Sequence, residues 1–142
     1  MTEGKGIPLV VVISGANTHD IKLLEATLDS IVVLRPVPTP ESPQNLCLDA
    51  GYVGSEEAVR KRGYAPHIRS RGEEKMEIKH NPDFKARRWV VEVCHSWLNR
   101  FRKLLIRFEK KAQNYLALVQ FACALIVWRK IIAVHQMSLF YG

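Results

Sequence analysis

The run I-P-L-V-V-V-I, Ile7–Ile13, is rich in β-branched residues and bounded by Gly6 and Gly15. That pattern predicts a buried strand, with Pro8 near its start, where a missing donor is tolerated. Over residues 19–33, Ile21, Leu24, Leu28 and Ile31 recur at helical spacing, and Thr18 or Asp20 could cap the start. Residues 35–44, R-P-V-P-T-P-E-S-P-Q, hold four prolines and read as a stiff loop. The short apolar run Leu46 to Leu48 then reads as a buried strand that stops at Asp49, Ala50 and Gly51.

A second helix is expected from Ser55, with Glu56 and Glu57 in its first turn and Gly63 closing it. Tyr64 to Ile68 reads as another short strand, and the polar residues 69–83 as a loop. Val90, Cys94, Trp97, Phe101, Leu104 and Phe108 step by 4, 3, 4, 3 and 4, which predicts one long helix from about Phe84 to Phe108. Its other face carries Lys85, Arg88, Glu92, His95, Asn99 and Arg102. A last helix, about Asn114 to Val134, is apolar nearly all round before Arg129 and Lys130 and is expected to be mostly buried. Trp89, Trp97 and Trp128 follow the apolar faces and are expected in the core. The order of elements indicates an α/β domain. Two or three strands are thin cover for two long C-terminal helices, so N-terminal strands are expected to be missing.

Composition narrows the class. A chain of 142 residues suits one domain with a real core. Cys47, Cys94 and Cys123 form no C-x-x-C pair, and no His lies at zinc-ligand spacing from two of them. A structural zinc site or disulfide framework is therefore not expected; the thiols read as small hydrophobes in a reducing cytoplasm. The first ten residues have no signal-peptide pattern. The longest apolar stretch, Leu116 to Trp128, contains Gln120 and is shorter than the roughly 20 residues of a membrane span, so no membrane is expected.

The net charge is +7, unevenly spread. Residues 1–50 hold 3 basic and 6 acidic side chains, whereas residues 51–142 hold 18 basic and 8 acidic. A split of this kind suits a polyanion-facing half, or a solvated basic helical surface.

Two acids stand out against this background. Asp49 ends an apolar run, and functional groups in open α/β sheets gather at the carboxyl ends of strands. Its bland alternative is a turn-initiating Asp beside a Gly51 that lets the chain turn away. Glu92 lies within V-V-E-V on the basic face of an apolar helix, four residues after Arg88 and three before His95. It is either half of a surface ion pair with Arg88 or a metal ligand on a rigid helix.

The run R-R-W-V-V-E-V-C-H-S-W-L-N-R-F-R-K-L, residues 87–104, resembles the signature helix of bacterial insertion-sequence DDE transposases of the IS-four and IS-five groups. That signature has an Arg, three residues, then the catalytic Glu; Arg88 and Glu92 match it. The run L-D-A-G-Y, residues 48–52, resembles the segment carrying the family's second catalytic Asp, which maps to Asp49. Residues 6–20 resemble the family's strand and following loop, so the three motifs stand in the family's order across nearly the whole chain. Two positions depart from the pattern: Lys85 stands where the family often has Tyr, and Asn99, beside Arg100, stands where it often has a basic residue.

The resemblance implies a partial ribonuclease-H-like fold, with residues 1–142 as the C-terminal part of the catalytic domain. It implies Asp49 and Glu92 as catalytic residues and ligands of Mg2+ or Mn2+, and Lys85, Arg88, Arg100, Arg102 and Lys103 as DNA contacts. The expected reaction is metal-dependent phosphodiester hydrolysis and strand transfer on transposon ends and target DNA. The family's first catalytic Asp lies upstream of the segment matching residues 6–20, and neither Asp20 nor Asp29 sits in its place. The chain alone is thus expected to be inactive, and a further N-terminal polypeptide could supply the Asp. A homo-oligomer is compatible with the same reading. The alternatives are a non-catalytic basic DNA-binding module and a structural partner of an intact transposase.

Overall fold

The computed structural model describes residues 1–68, 70, 72, 76, 79, 80 and 89–141, of 135–141 the backbone alone. The chain forms two compact units, Met1–Ile13 with Arg88–Gly142, and Ser14–Arg87. Each contains helices, and among the described residues one two-stranded parallel sheet makes the molecule α/β.

The unit Ser14–Arg87 is built on a strand–helix–strand sequence. Strand β1, Asn45–Leu48, pairs in parallel with β2, Ala65–Ile68, in the register Asn45↔Ala65 to Leu48↔Ile68. Both match the expected strands to within a residue. Leu46 is buried while Asn45 and Cys47 are exposed, so β1 is buried on one face only. On the open face His67 Nε2 and Asn45 Oδ1 lie 2.7 Å apart. Two helices supply the apolar cover: α1, Leu24–Asp29, entered through a 3-10 turn at Asp20–Leu23, and α2, Glu56–Lys61. Leu24, Leu28, Leu46 and a fully buried Val59 form this unit's core.

Helix α1 stops at Asp29, short of the expected residue 33. No side chain caps the 3-10 turn, whose N-cap is His19. Gly63, at φ +78°, ends α2: its N–H donates to the Arg60 carbonyl and the Tyr64 N–H to that of Val59. This paired closure needs a left-handed residue, which glycine supplies without a Cβ clash. The proline-rich loop is held against the same turn. Arg35 stacks 3.9 Å from the Tyr64 ring centroid and donates to Gln44 Oε1, while the Gln44 carbonyl accepts from Ala65 N–H.

Arg62 ties α2 to α1. Its guanidinium donates to both Asp29 oxygens, at 2.6 and 2.8 Å, and to Glu25 Oε2 at 2.9 Å. The hydrogen bonds from Arg62 hold the Asp29 carboxyl below the ordinary carboxylate range. A depressed folded-state pKa stabilises above the unfolded value, and that contribution is lost as pH falls through the folded one. Wild type and Arg62→Gln should therefore differ in thermal midpoint at neutral pH, the gap narrowing below about pH 4. A gap that persists at pH 2 would show that Arg62 acts by packing instead.

The loop expected over 69–83 lies mostly outside the described residues; Gly72, Met76, Lys79 and His80 within it are helical. His80 Nδ1 lies 2.8 Å from the Met76 carbonyl one turn back.

In the other unit, Ile7–Ile13 makes no regular strand. It folds back on the first residues through an isolated antiparallel bridge, Thr2↔Pro8, with Leu9 N–H donating to the Met1 carbonyl. Composition favoured a strand, but a strand needs a neighbour to bond along its length, and this run has one bridge among the described residues.

The expected helix from Phe84 to Phe108 is also revised. Residues 84–88 lie outside the described residues. Helix α3 runs Trp89–Leu98, a turn follows at Asn99 and Arg100, and a single-turn helix α4 covers Arg102–Leu105. Val90 and Cys94 are buried and Trp97, Phe101 and Leu104 half-buried, so the apolar stripe survives the break, but Phe108 is 74% exposed. Spacing alone carries no mark of the break, because Phe101 and Leu104 are still half-buried after it.

Helix α5 spans Ala112–Tyr141, longer at both ends than expected. Val119, Ala122 and Ile126 are buried and pack this helix into the unit, whereas Phe121 (64%) and Trp128 (61%) are exposed. The expectation of a mostly buried helix is thus corrected to one buried stripe. The tryptophan expectation changes with it: Trp89 and Trp128 are exposed, and Trp97 is half-buried beneath Lys130, whose Nζ lies 4.0 Å from its ring centroid. The cysteine expectation holds for Cys94, which is buried, and fails for Cys47, which is exposed. Ala112–Val134 is long and apolar enough to cross a membrane by length and composition, a measure that core helices of soluble proteins also pass. Counting only the run from Leu116 to Trp128 understated that length.

Candidate functional site

Asp49 is held by local backbone chemistry. It follows the last residue of β1 in an extended conformation, and its Oδ1 accepts the Gly51 N–H at 2.8 Å. That bond caps the short 3-10 turn Ala50–Tyr52. Gly51 does not take the left-handed conformation that a sharp turn suggested; Gly54 does, at φ +94°. What Gly51 offers is room, since a Cβ there would lie 3.0 Å from Asp49 Oδ1. The Asp49 side chain is exposed, and Oδ2 makes no hydrogen bond or ion pair with a described residue.

Sequence reasoning missed the neighbours of Asp49. Burial pushes the Tyr52 phenol up, and the negative charges of Asp20 and then Asp49 push the same way. The His-Asp pair in the preceding loop and the Tyr of L-D-A-G-Y were the only signals, and neither revealed that Asp20 and Asp49 act on one hydroxyl.

Glu92 lies on α3, on the face opposite Val90 and Cys94, and is exposed. It makes no hydrogen bond or ion pair with a described residue; Arg88 and Lys85 lie outside those residues. His95 and Asn99, one and two turns on, share its exposed face. Arg100, Arg102 and Lys103 follow, all exposed and with no ion pair to a described residue. The unit Met1–Ile13 with Arg88–Gly142 thus holds Glu92 with these three cations, and the unit Ser14–Arg87 holds Asp49 with Asp20 and Tyr52.

The donor chemistry suits a hard divalent cation, because both candidates offer exposed carboxylate oxygens. Among the described residues, no three His, Cys, Asp or Glu side chains gather as a metal site. The described residues therefore offer carboxylates but no gathered metal site.

A strand-end Asp, a helix Glu and a basic segment, in this order, are the features by which the chain resembles DDE transposases. The family model described as "Transposase DDE domain" matches residues 1–127, and the chain belongs to that family. Over 132 residues it is 35% identical to a Burkholderia cepacia protein named "Putative transposase for insertion sequence element IS402", covering 90% of this chain. The chain spans 60% of that relative's length. No solved structure matches.

Proposed function

We propose that this chain acts in DNA transposition as the part of an insertion-sequence transposase that contributes Asp49 and Glu92 to metal-dependent DNA cleavage and strand transfer. The observation that carries this reading is the family match across residues 1–127, with an exposed Asp at the end of β1 and, on α3, an exposed Glu that makes no ion pair with a described residue, at the motif positions. In this reading the α/β chain is the C-terminal part of a ribonuclease-H-like catalytic domain.

Asp49 and Glu92 would hold Mg2+ or Mn2+, together with a further carboxylate. When bound, a divalent ion stabilises charge on the attacking and leaving oxygens of a phosphodiester displacement. The chain's own contribution is positional. The Gly51 N–H fixes one Asp49 oxygen and leaves the other open. Helix α3 presents Glu92 from a rigid backbone anchored by Val90 and Cys94. Arg100, Arg102 and Lys103 would neutralise DNA phosphates, a role the motif also gives Lys85 and Arg88.

The family's first Asp has no counterpart that we assign on these residues, so the 142-residue chain alone is expected not to nick DNA. Incubation with terminal-repeat DNA and magnesium tests this. Cleavage should appear only when a polypeptide carrying the additional Asp is supplied, and Asp49→Asn should then abolish it. Cleavage by the chain alone, or cleavage that survives Asp49→Asn, would overturn the assignment. The second reading, a non-catalytic basic DNA-binding module, is favoured by the exposed cations Arg100, Arg102 and Lys103, which make no ion pair with a described residue. It predicts DNA binding with a steep salt slope and no dependence on Asp49 or Glu92.

A further inference from the structure

The open face of the β1–β2 sheet carries a side-chain cluster that the proposed function does not use. Cys47 and His67 are partners in the parallel register, so their side chains leave the sheet on the same face. Both are exposed, as is Asn45, two residues before Cys47 on that face. All three belong to the unit Ser14–Arg87. His67 Nε2 lies 2.7 Å from Asn45 Oδ1. A carbonyl oxygen only accepts, so Nε2 donates, and in the neutral ring the lone pair then falls on Nδ1. Neither Nδ1 nor the Cys47 thiol makes a hydrogen bond with a described residue.

We propose that Cys47 Sγ and His67 Nδ1 bind a divalent transition-metal ion of the zinc type. Donor chemistry selects the ion: thiolate with imidazole favours zinc-like metals, whereas magnesium takes carboxylate and water oxygens. Spacing allows it. Neighbouring strands lie about 4.8 Å apart. Zinc bonds of about 2.3 Å to sulfur and about 2.0 Å to nitrogen put tetrahedral donors roughly 3.5 Å apart, which two side chains on adjacent strands reach by converging. Orientation supports it as well. A metal-bound histidine donates its other ring N–H to a fixed acceptor, which sets the tautomer and the ring plane. Asn45 holds His67 Nε2 in that way. Two protein donors do not close a structural zinc site, so water takes the remaining positions. Spacing along the chain could not show the pair, because the sheet register brings the two donors together. The site is separate from Asp49 and Glu92 and does not depend on the DNA reading.

Co2+ is the probe, titrated into the full chain, because a thiolate bond to it gives a charge-transfer absorption in the near ultraviolet. The band should appear, Zn2+ should remove it by displacement, and a large excess of Mg2+ should leave it in place. Cys47→Ser should abolish the band. Asn45→Leu should keep it but weaken Co2+ binding roughly ten-fold, the cost of losing an outer hydrogen-bond partner. His67→Gln should weaken binding further than Asn45→Leu does. All three positions are exposed, circular dichroism checks folding, and His67→Gln decides the matter should Cys47→Ser fail to fold. No band, a band that survives Cys47→Ser, displacement by Mg2+, or unchanged affinity in His67→Gln would each overturn the site. Unchanged affinity in Asn45→Leu would remove Asn45 from it. None of these outcomes bears on the roles of Asp49 and Glu92.

Discussion

Glu92→Gln is expected to lower metal-dependent DNA cleavage about a thousand-fold or more in the complete assembly, with DNA affinity nearly unchanged. Glutamine keeps the length and shape of the side chain and removes its charge. The position is exposed and makes no ion pair with a described residue, so the loss of charge should leave α3 intact. Divalent ions contribute several kcal/mol to charge stabilisation in phosphoryl chemistry, and each 1.36 kcal/mol is a factor of about ten in rate. In the proposed role of Glu92 as a ligand, its loss should forfeit much of that contribution. Asp49→Asn should behave alike, because the amide oxygen can still accept the Gly51 N–H at the position now held by Oδ1. Asp49→Ala would add a structural cost of about 1 kcal/mol by removing the cap. Single-turnover cleavage with magnesium, beside a thermal melt of each variant, checks both halves of the expectation. Activity of Glu92→Gln within ten-fold of wild type would remove Glu92 from the metal chemistry.

Gly6→Ala is expected to destabilise the unit that contains it by about 2–5 kcal/mol. Gly6 is buried at φ +85°, where a left-handed L-residue costs roughly 1–2 kcal/mol. An added Cβ would also lie 3.0 Å from the Val90 carbonyl oxygen and 3.4 Å from Val93 Cγ1. The nearest atom is helix backbone, which cannot swing aside, and overpacking of that kind adds about 1–3 kcal/mol. Gly63→Ala is the internal comparison. Its φ of +78° carries the same conformational cost, but its Cβ would meet only Pro38 Cγ at 3.4 Å and the end of Arg35 at 3.8 Å. Urea denaturation of the two variants should place Gly6→Ala as the more damaging. Equal losses would mean that the approach of Gly6 to α3 contributes nothing.

Much of the molecule was legible before any coordinates. The apolar run at Leu46–Leu48 and the turn residues after it mark β1 and place Asp49 at its end, because strands of this length leave few other registers. The glutamates at 56 and 57 and the glycine at 63 bracket α2, since helix ends are set by local hydrogen-bonding needs. The basic C-terminal half is also a property of the chain itself, and the Arg88–Glu92 run, L-D-A-G-Y and residues 6–20 together carry the resemblance to DDE transposases that the family match bears out. Three things depended on tertiary structure. Ile7–Ile13 has strand composition, yet whether it pairs along its length is decided by what lies beside it. Helix α3 ends at Leu98 although the apolar rhythm runs on, because the backbone can turn at Asn99 and Arg100 while Phe101 and Leu104 stay half-buried. Helix α5 is apolar all round, but burial is set by the area its neighbours can cover, and they cover one stripe. The pairing of Cys47 with His67 belongs with these. The two stand 20 residues apart in the chain, and only the parallel register of β1 and β2 brings them to one surface.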